Sequence, residues 1–231
     1  LELAKLTVIY KIRAQLEILK KRRRGVSLAD PTLKSIIQNL EETINKITEV
    51  QSTAELRGIE GTAARNYFSY WDNLLPKQLG FEKRSKRPAL NEVNSALNFS
   101  YTLLLNEINS LLESYGLDTM LGYYHGIRYG RISLSLDVME VYRPLLVDQW
   151  IIQLIRTNKL VKKDFHLLEE KGIYLTKEGR KKFMHLYQKW HQQIQYRKMI
   201  EEGVIGVRKA YMKGDVRILE KTYKKILHYL L

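Results

Sequence analysis

Residues 88–116 read PALNEVNSALNFSYTLLLNEINSLLESYG. A proline opens the stretch and a glycine closes it. Between them Val93, Leu97, Leu104, Ile108 and Leu111 recur at helical spacing, so their side chains share one face. This is the longest apolar pattern in the chain and predicts a central core helix.

The same period continues on both sides. Upstream, 77–87 (KQLGFEKRSKR) is basic and aperiodic, a loop. A helix precedes it, expected to start close to Glu60 and to end before Pro76. Asp30 and Pro31 form an N-cap and a first helical position for a helix to about residue 50. Residues 1–24 carry Leu3, Leu6, Ile9, Leu16 and Leu19 at helical spacing and end in KKRRR before Gly25. Downstream, a helix over roughly 134–157 should kink at Pro144. A short hairpin is expected within 164–175 around Lys171-Gly172. Thr176 then caps an amphipathic helix to about residue 202, and Asp215 caps a last one to Leu231. The fold class is therefore all-α, one domain over 1–231: leading helices (1–50), a central part (55–160) and C-terminal helices (161–231).

Lys and Arg number 39 against 25 Asp and Glu in 231 residues, a formal charge of +14. Such an excess points to a polyanion, nucleic acid before an acidic membrane surface. No apolar run approaches the roughly 18 residues that cross a bilayer, and no helix sets a continuous apolar face against lysines. The absence of cysteine excludes disulfides, thiolate zinc sites and cysteine nucleophiles, and suits a reducing cytoplasm. GxxxxGK[ST], GxGxxG and GxSxG motifs are absent, and no histidine neighbourhood has the partner cysteines of a zinc deaminase.

Three features carry chemistry. Glu60 stands between glycines in RGIEGTAARNYF; it reads as a helix-start acid, a partner for Arg65, or a ligand for a cation. His125 in GYYHG precedes Arg128 and Arg131. Asp137 and Glu140 in SLSLDVMEVYRP are three residues apart, which sets both carboxylates on one helical face. Each alone has an ordinary structural reading: a first-turn acid, a surface histidine, partners for Arg143. Together, carboxylates and an imidazole form an oxygen-and-nitrogen set suited to Mn²⁺ or Mg²⁺. A basic protein holding such a set has the ingredients of metal-assisted phosphodiester chemistry.

Four blocks in order, RGIEGTAARNYF, RPALNEVNSALNFSYTLL, GLDTMLGYYHGIRYGRISLSLDVMEVYRP and the less specific KGIYLTKEGRKKFMHLYQ, resemble the CRISPR-associated integrases of spacer acquisition (the Cas one family). The likeness spans about residues 55–190. It implies an α-helical catalytic lobe in which Glu60, His125 and Glu140 hold the divalent metal. Asp137 is then a second ligand or a group behind the ligands. It implies an endonuclease and integrase that joins short duplex DNA (new spacers) to a CRISPR repeat by transesterification, as a homodimer with a small companion protein, in a prokaryotic cytoplasm. The family's lobe follows a β-rich lobe, which this sequence, starting without Met inside a periodic stretch, is expected to lack. Ser100 stands where the family often has glycine, and Tyr123-Tyr124 replaces a commoner aromatic-aliphatic pair.

Arg65, Arg128 and Arg131 are candidates for the scissile phosphate, with Arg65 alternatively paired to Glu60 or Asp72. Lys83, Arg84, Lys86, Arg87, the run 22–24 and Lys181-Lys182 are candidates for DNA backbone contacts or a solvated face. Trp71, Trp150 and Trp190 are expected in the core or an interface. A casposon-type integrase of a mobile element, or a non-catalytic all-α DNA-binding scaffold, fits the same composition.

Overall fold

The computed structural model describes residues 1–23, 30–126, 128–169, 172–193 and 195–229. Arg24, Gly25, Lys171 and Leu231 lie outside these residues, as do the side chains of Arg22 and Arg23.

Helix α1 (Glu2–Arg23) runs through the interior. Ala4, Val8, Ile12, Ala14 and Leu19 have no solvent exposure, and Tyr10, Leu16 and Ile18 are also buried. The charged residues Lys5, Arg13 and Glu17 of α1 are themselves only partly exposed, so most of the helix surface is packed. Of the stripe that the sequence suggests, Leu16 and Leu19 are buried, whereas Leu3, Leu6 and Ile9 are only partly so. Helix α2 (Pro31–Ile47) starts as expected: the Asp30 carboxylate accepts from the backbone N–H of Thr32 and Leu33 at 2.9 and 3.1 Å.

Helix α3 (Thr53–Ser69) begins seven residues before Glu60, not at it. Ser52 is the cap, its hydroxyl accepting from Glu55 N at 3.1 Å. Gly58 and Gly61 are inside the helix and mark no turn. A four-residue turn, α4 (Trp71–Leu74), follows. In α5 (Glu92–Ser114) Val93, Leu97, Leu104 and Ile108 are fully buried and Leu111 nearly so, as the central-helix reading requires.

Helix α6 (Ser133–Tyr142) continues through a π-helical stretch, Arg143–Asp148, into α7 (Gln149–Arg156). Pro144 lacks the N–H that an α-turn needs, and the winding widens at the position where the sequence reading expects the helix to be disturbed. Strands β1 (Phe165–Leu168) and β2 (Gly172–Leu175) pair antiparallel, Phe165 opposite Leu175, which is the expected hairpin. Ile173 N donates to Ala89 O at 2.9 Å and ties it to the entry of α5.

The helix expected from Thr176 to about residue 202 is two helices, α8 (Lys177–Gln193) and α9 (Tyr196–Lys213). Gln195 adopts a left-handed conformation between them (φ 49°). The reversal folds buried Tyr196 back on α8, where its ring stacks on His191 at 3.8 Å and its hydroxyl accepts from Tyr187 OH at 3.1 Å. Helix α10 (Val216–Tyr229) closes the bundle against α9 and α1. Trp71 and Trp150 are core residues, and Trp190 is half-buried. Among the described residues no helix is long and apolar enough to cross a membrane.

Candidate metal and phosphate site

One face of α3 presents Arg57, Glu60, Gly61, Ala64, Arg65 and Phe68 to a cavity of about 680 Å³. Their spacing is that of a single helical stripe. Gly61 costs helix stability of roughly 1 kcal/mol relative to alanine. An added Cβ there meets nothing within 4 Å, so the glycine leaves the wall open beside Glu60.

The opposite wall comes from the loop after α5 and from α6. Asp137, with no solvent exposure, is the fastening point. Its Oδ2 accepts from Tyr123 N and Tyr124 N at 2.6 and 2.8 Å. Its Oδ1 accepts from His125 N at 2.8 Å and lies 2.5 Å from His125 Nδ1. A Cβ on Gly122 would stand 2.7 Å from Asp137 Oδ2, so the loop closes this tightly only on glycine. Asp137 and Glu140 therefore do not act on one side as the three-residue spacing suggests. Leu136 and Glu140 line the cavity, whereas Asp137 turns behind His125. The tyrosines anchor the loop: Tyr123 OH lies 2.9 Å from Thr7 Oγ1, and Tyr124 O accepts from Arg57 at 3.1 Å.

Glu60 is neither a first-turn acid nor a partner of Arg65. Its Oε1 receives the Lys11 ammonium, which also bonds Glu140 Oε2 at 2.5 Å. Arg143 takes the other oxygen of Glu140 at 2.7 Å. Burial opposes charge on Glu140, yet Arg143 and Lys11 outweigh it and hold the carboxyl down at about 2. Burial likewise pushes the Lys11 ammonium down, and the Glu140 and Glu60 carboxylates reverse that and leave it above the ordinary lysine value.

Behind this cluster Tyr101 OH donates to Asp148 at 2.5 Å, and the Arg84 and Arg143 guanidinium groups lie 5.4 and 5.1 Å from the Tyr101 ring centroid. Burial pushes the Asp148 carboxyl up to about 6 despite the Tyr101 hydroxyl. Arg84 is turned inward rather than free in its loop, donating to Asn94 at 2.9 Å and Asn98 at 2.6 Å. Arg65 and Arg131 line the cavity, and Arg65 bonds Thr62 at 3.0 Å. Arg128 and Arg87 are exposed outside it; Arg87 borders a neighbouring groove with Lys86 and Arg180. Eight cationic side chains face the cavity against four acids, a surplus that favours an anion beside the acids.

Sequence reasoning missed Lys11, Arg57, Tyr101 and Asp148, whereas the pairing of Glu140 with Arg143 is one it offered. One signal was present: Thr7, Lys11 and Gln15 repeat every fourth residue along α1, and all three are buried. Among the described residues no three His, Asp or Glu side chains are drawn together into a ready metal cage; what the cavity offers is donor type, carboxylate oxygen and imidazole nitrogen, as a hard divalent cation takes. Two carboxylates already converge on one ammonium, and His125, held through Nδ1 by a carboxylate, keeps Nε2 for a ligand, the usual arrangement of a metal-binding histidine.

A sequence profile of the family described as "CRISPR associated protein Cas1" matches residues 1–189. The chain belongs to that family. A Cas1 relative from Thermodesulfovibrio yellowstonii, named a CRISPR-associated endonuclease, is 38% identical over 84% of this chain and 61% of its own length. The chain thus spans about three fifths of the curated Cas1 relatives it matches. A chain of a partial Cas6-RT-Cas1–Cas2 complex superposes with a TM-score of 0.85 at 26% identity, covering 95% of this chain and 67% of that one. A casposase bound to integration product superposes at 0.71 with 25% identity, over 88% and 59%.

Proposed function

We propose that this Cas1-family chain is the catalytic part of a divalent-metal-dependent DNA strand-transferase that inserts short duplex DNA into a CRISPR repeat. The observation that carries it is that Glu60, His125 and Glu140, from three separate segments, line one cavity rich in arginine and lysine. These three residues are the ones that would hold Mg²⁺ or Mn²⁺. When bound, the metal would supply charge stabilisation at phosphorus and a lowered pKa for the attacking hydroxyl.

The chain's own groups set the rest. Asp137 holds the proton of His125 at Nδ1 and so leaves Nε2 as the ligating atom. Arg57, Arg65 and Arg131 line the open side and would take the non-bridging oxygens of a phosphodiester. In the reaction, the 3′-oxygen of the incoming strand forms a bond to phosphorus while the repeat's phosphodiester P–O bond breaks, and the departing oxygen takes a proton. The Cas1–Cas2 complexes among the structural relatives support a companion Cas protein as a partner. A second copy of this chain and a prokaryotic cytoplasm complete the proposal.

The test uses the protein with its companion, a short duplex with free 3′-hydroxyls and a plasmid carrying a repeat. Mn²⁺ or Mg²⁺ should yield joined product, and EDTA or His125→Ala should abolish it. Product surviving both would sink the metal reading. DNA binding with no joining under any metal would favour the scaffold. The likeness to a casposase keeps a second reading: joining into a mobile-element target but not into a repeat would select it.

A further inference from the structure

Lys11 is out of place in α1. It is 7% exposed in a helix packed on all sides, and its ammonium sits between Glu60 Oε1 and Glu140 Oε2. A buried carboxylate, Glu140, and a partly buried one, Glu60, meet at this one ammonium, and such a pair requires a cation between them. Arg143 does not meet that need: it holds only Glu140, from the outer oxygen, and its guanidinium is stacked over Tyr101. Lys11 alone among the described residues bridges both acids.

We propose that Lys11 is the resident counter-ion of the Glu60–Glu140 pair, holding the position between the two carboxylates until a divalent cation displaces it. The inference rests on the metal reading above. An ammonium is a compact charge on a flexible four-carbon stem, so it can withdraw where a stacked guanidinium cannot. The cavity beside it gives room to move, and the anion expected there gives the displaced charge a partner. The ammonium and the metal compete for the same two oxygens, so each weakens the other's hold by the same factor. Lys11 is in this sense a positioning residue. It keeps the acids folded and charged without metal, and sets how much cation is needed to load them.

The test compares the parent with Lys11→Met, which keeps the apolar stem and removes the charge. Calorimetric titration with Mn²⁺ should show tighter binding by the variant, roughly tenfold or more. Thermal melts should show a lower midpoint in EDTA and a larger rise on adding Mn²⁺. Unchanged or weaker Mn²⁺ binding by Lys11→Met, with the parent binding normally, overturns the counter-ion role and leaves the metal reading standing. Failure of both proteins to take up Mn²⁺ overturns both. A second measurement needs no variant: acetylation of lysines in the parent, read by peptide mass spectrometry with exposed Lys77 as the internal standard. Lys11 labelling should rise several-fold when Mn²⁺ is added, and labelling indifferent to Mn²⁺ would refute the displacement.

Discussion

Asp137→Ala tests the architecture of the site more sharply than any substitution of a proposed ligand. The carboxylate accepts from three consecutive backbone N–H groups and faces the imidazole of His125, with all of this shut away from solvent on the Asp137 side. Leaving a buried donor without a partner costs about 1–3 kcal/mol, more where the lost acceptor was charged. Tyr124 is buried, whereas Tyr123 and His125 are half-buried and can recruit water. The Tyr124 bond should then be felt in full and the others in part, giving roughly 2–6 kcal/mol. For a domain of this size that lowers the melting midpoint by about 4–24 °C. Domain stabilities run from about 5 to 15 kcal/mol, so the variant is at risk of not folding. Asp137→Asn is therefore made beside it. Its amide oxygen keeps one pair of bonds while its NH₂ faces donors on the other side, and an intermediate loss is expected. The assay is far-UV circular dichroism with heating in EDTA, followed by Mn²⁺ titration of whichever variant folds. Metal affinity should fall roughly 10- to 100-fold, as for other groups that orient a ligand. Unaltered melting together with unaltered Mn²⁺ affinity in both variants would refute the account of Asp137.

Asp148 titrates in the opposite sense from an ion-paired acid. Its folded carboxyl, at about 6, lies above the ordinary 3.8, so the native state holds the proton more tightly and stability falls as pH rises through that window. Asp148→Asn should therefore stabilise by about 1–3 kcal/mol above pH 6 and give no gain below pH 4, read by urea melts at both ends; a loss at high pH would contradict this. Gly203→Ala sets a Cβ 1.8 Å from Tyr142 OH, which itself donates to Met199 O at 3.0 Å. It should destabilise by about 1–3 kcal/mol or more. Adding Tyr142→Phe should recover part of that, and a double variant no better than the single would show the clash lies elsewhere. Glu60→Gln should leave DNA affinity within about twofold, because phosphate contacts come from arginines and lysines. It should remove joining activity; a gel-shift assay beside a joining assay separates the two, and retained joining would exclude Glu60 as a ligand.

Much of the helical plan was legible because burial periodicity is local. The five apolar positions of α5, the Asp30-Pro31 start and the hairpin are each written in a few adjacent residues. The misreadings share a cause. The start of α3 was drawn to the glycines around Glu60 because glycine ordinarily marks a turn, whereas here it opens a wall of a cavity that no local pattern reveals. The break between α8 and α9 serves Tyr196 packing on Tyr187 and His191, a contact the helical period of the segment does not record.

The all-α class, the excess of positive charge and, through the motifs, the candidate set Glu60, His125 and Glu140 could be read from residue order alone. How these side chains are paired depends on the packed helices. Packing brought α1, α3 and α6 together so that Lys11 neutralises two acids that are 80 residues apart in the chain, and it turned Asp137 away from the cavity to fasten His125. Local pattern sets which face of a helix is apolar. Which charges must neutralise one another is set by burial, and burial exists only once the helices have packed.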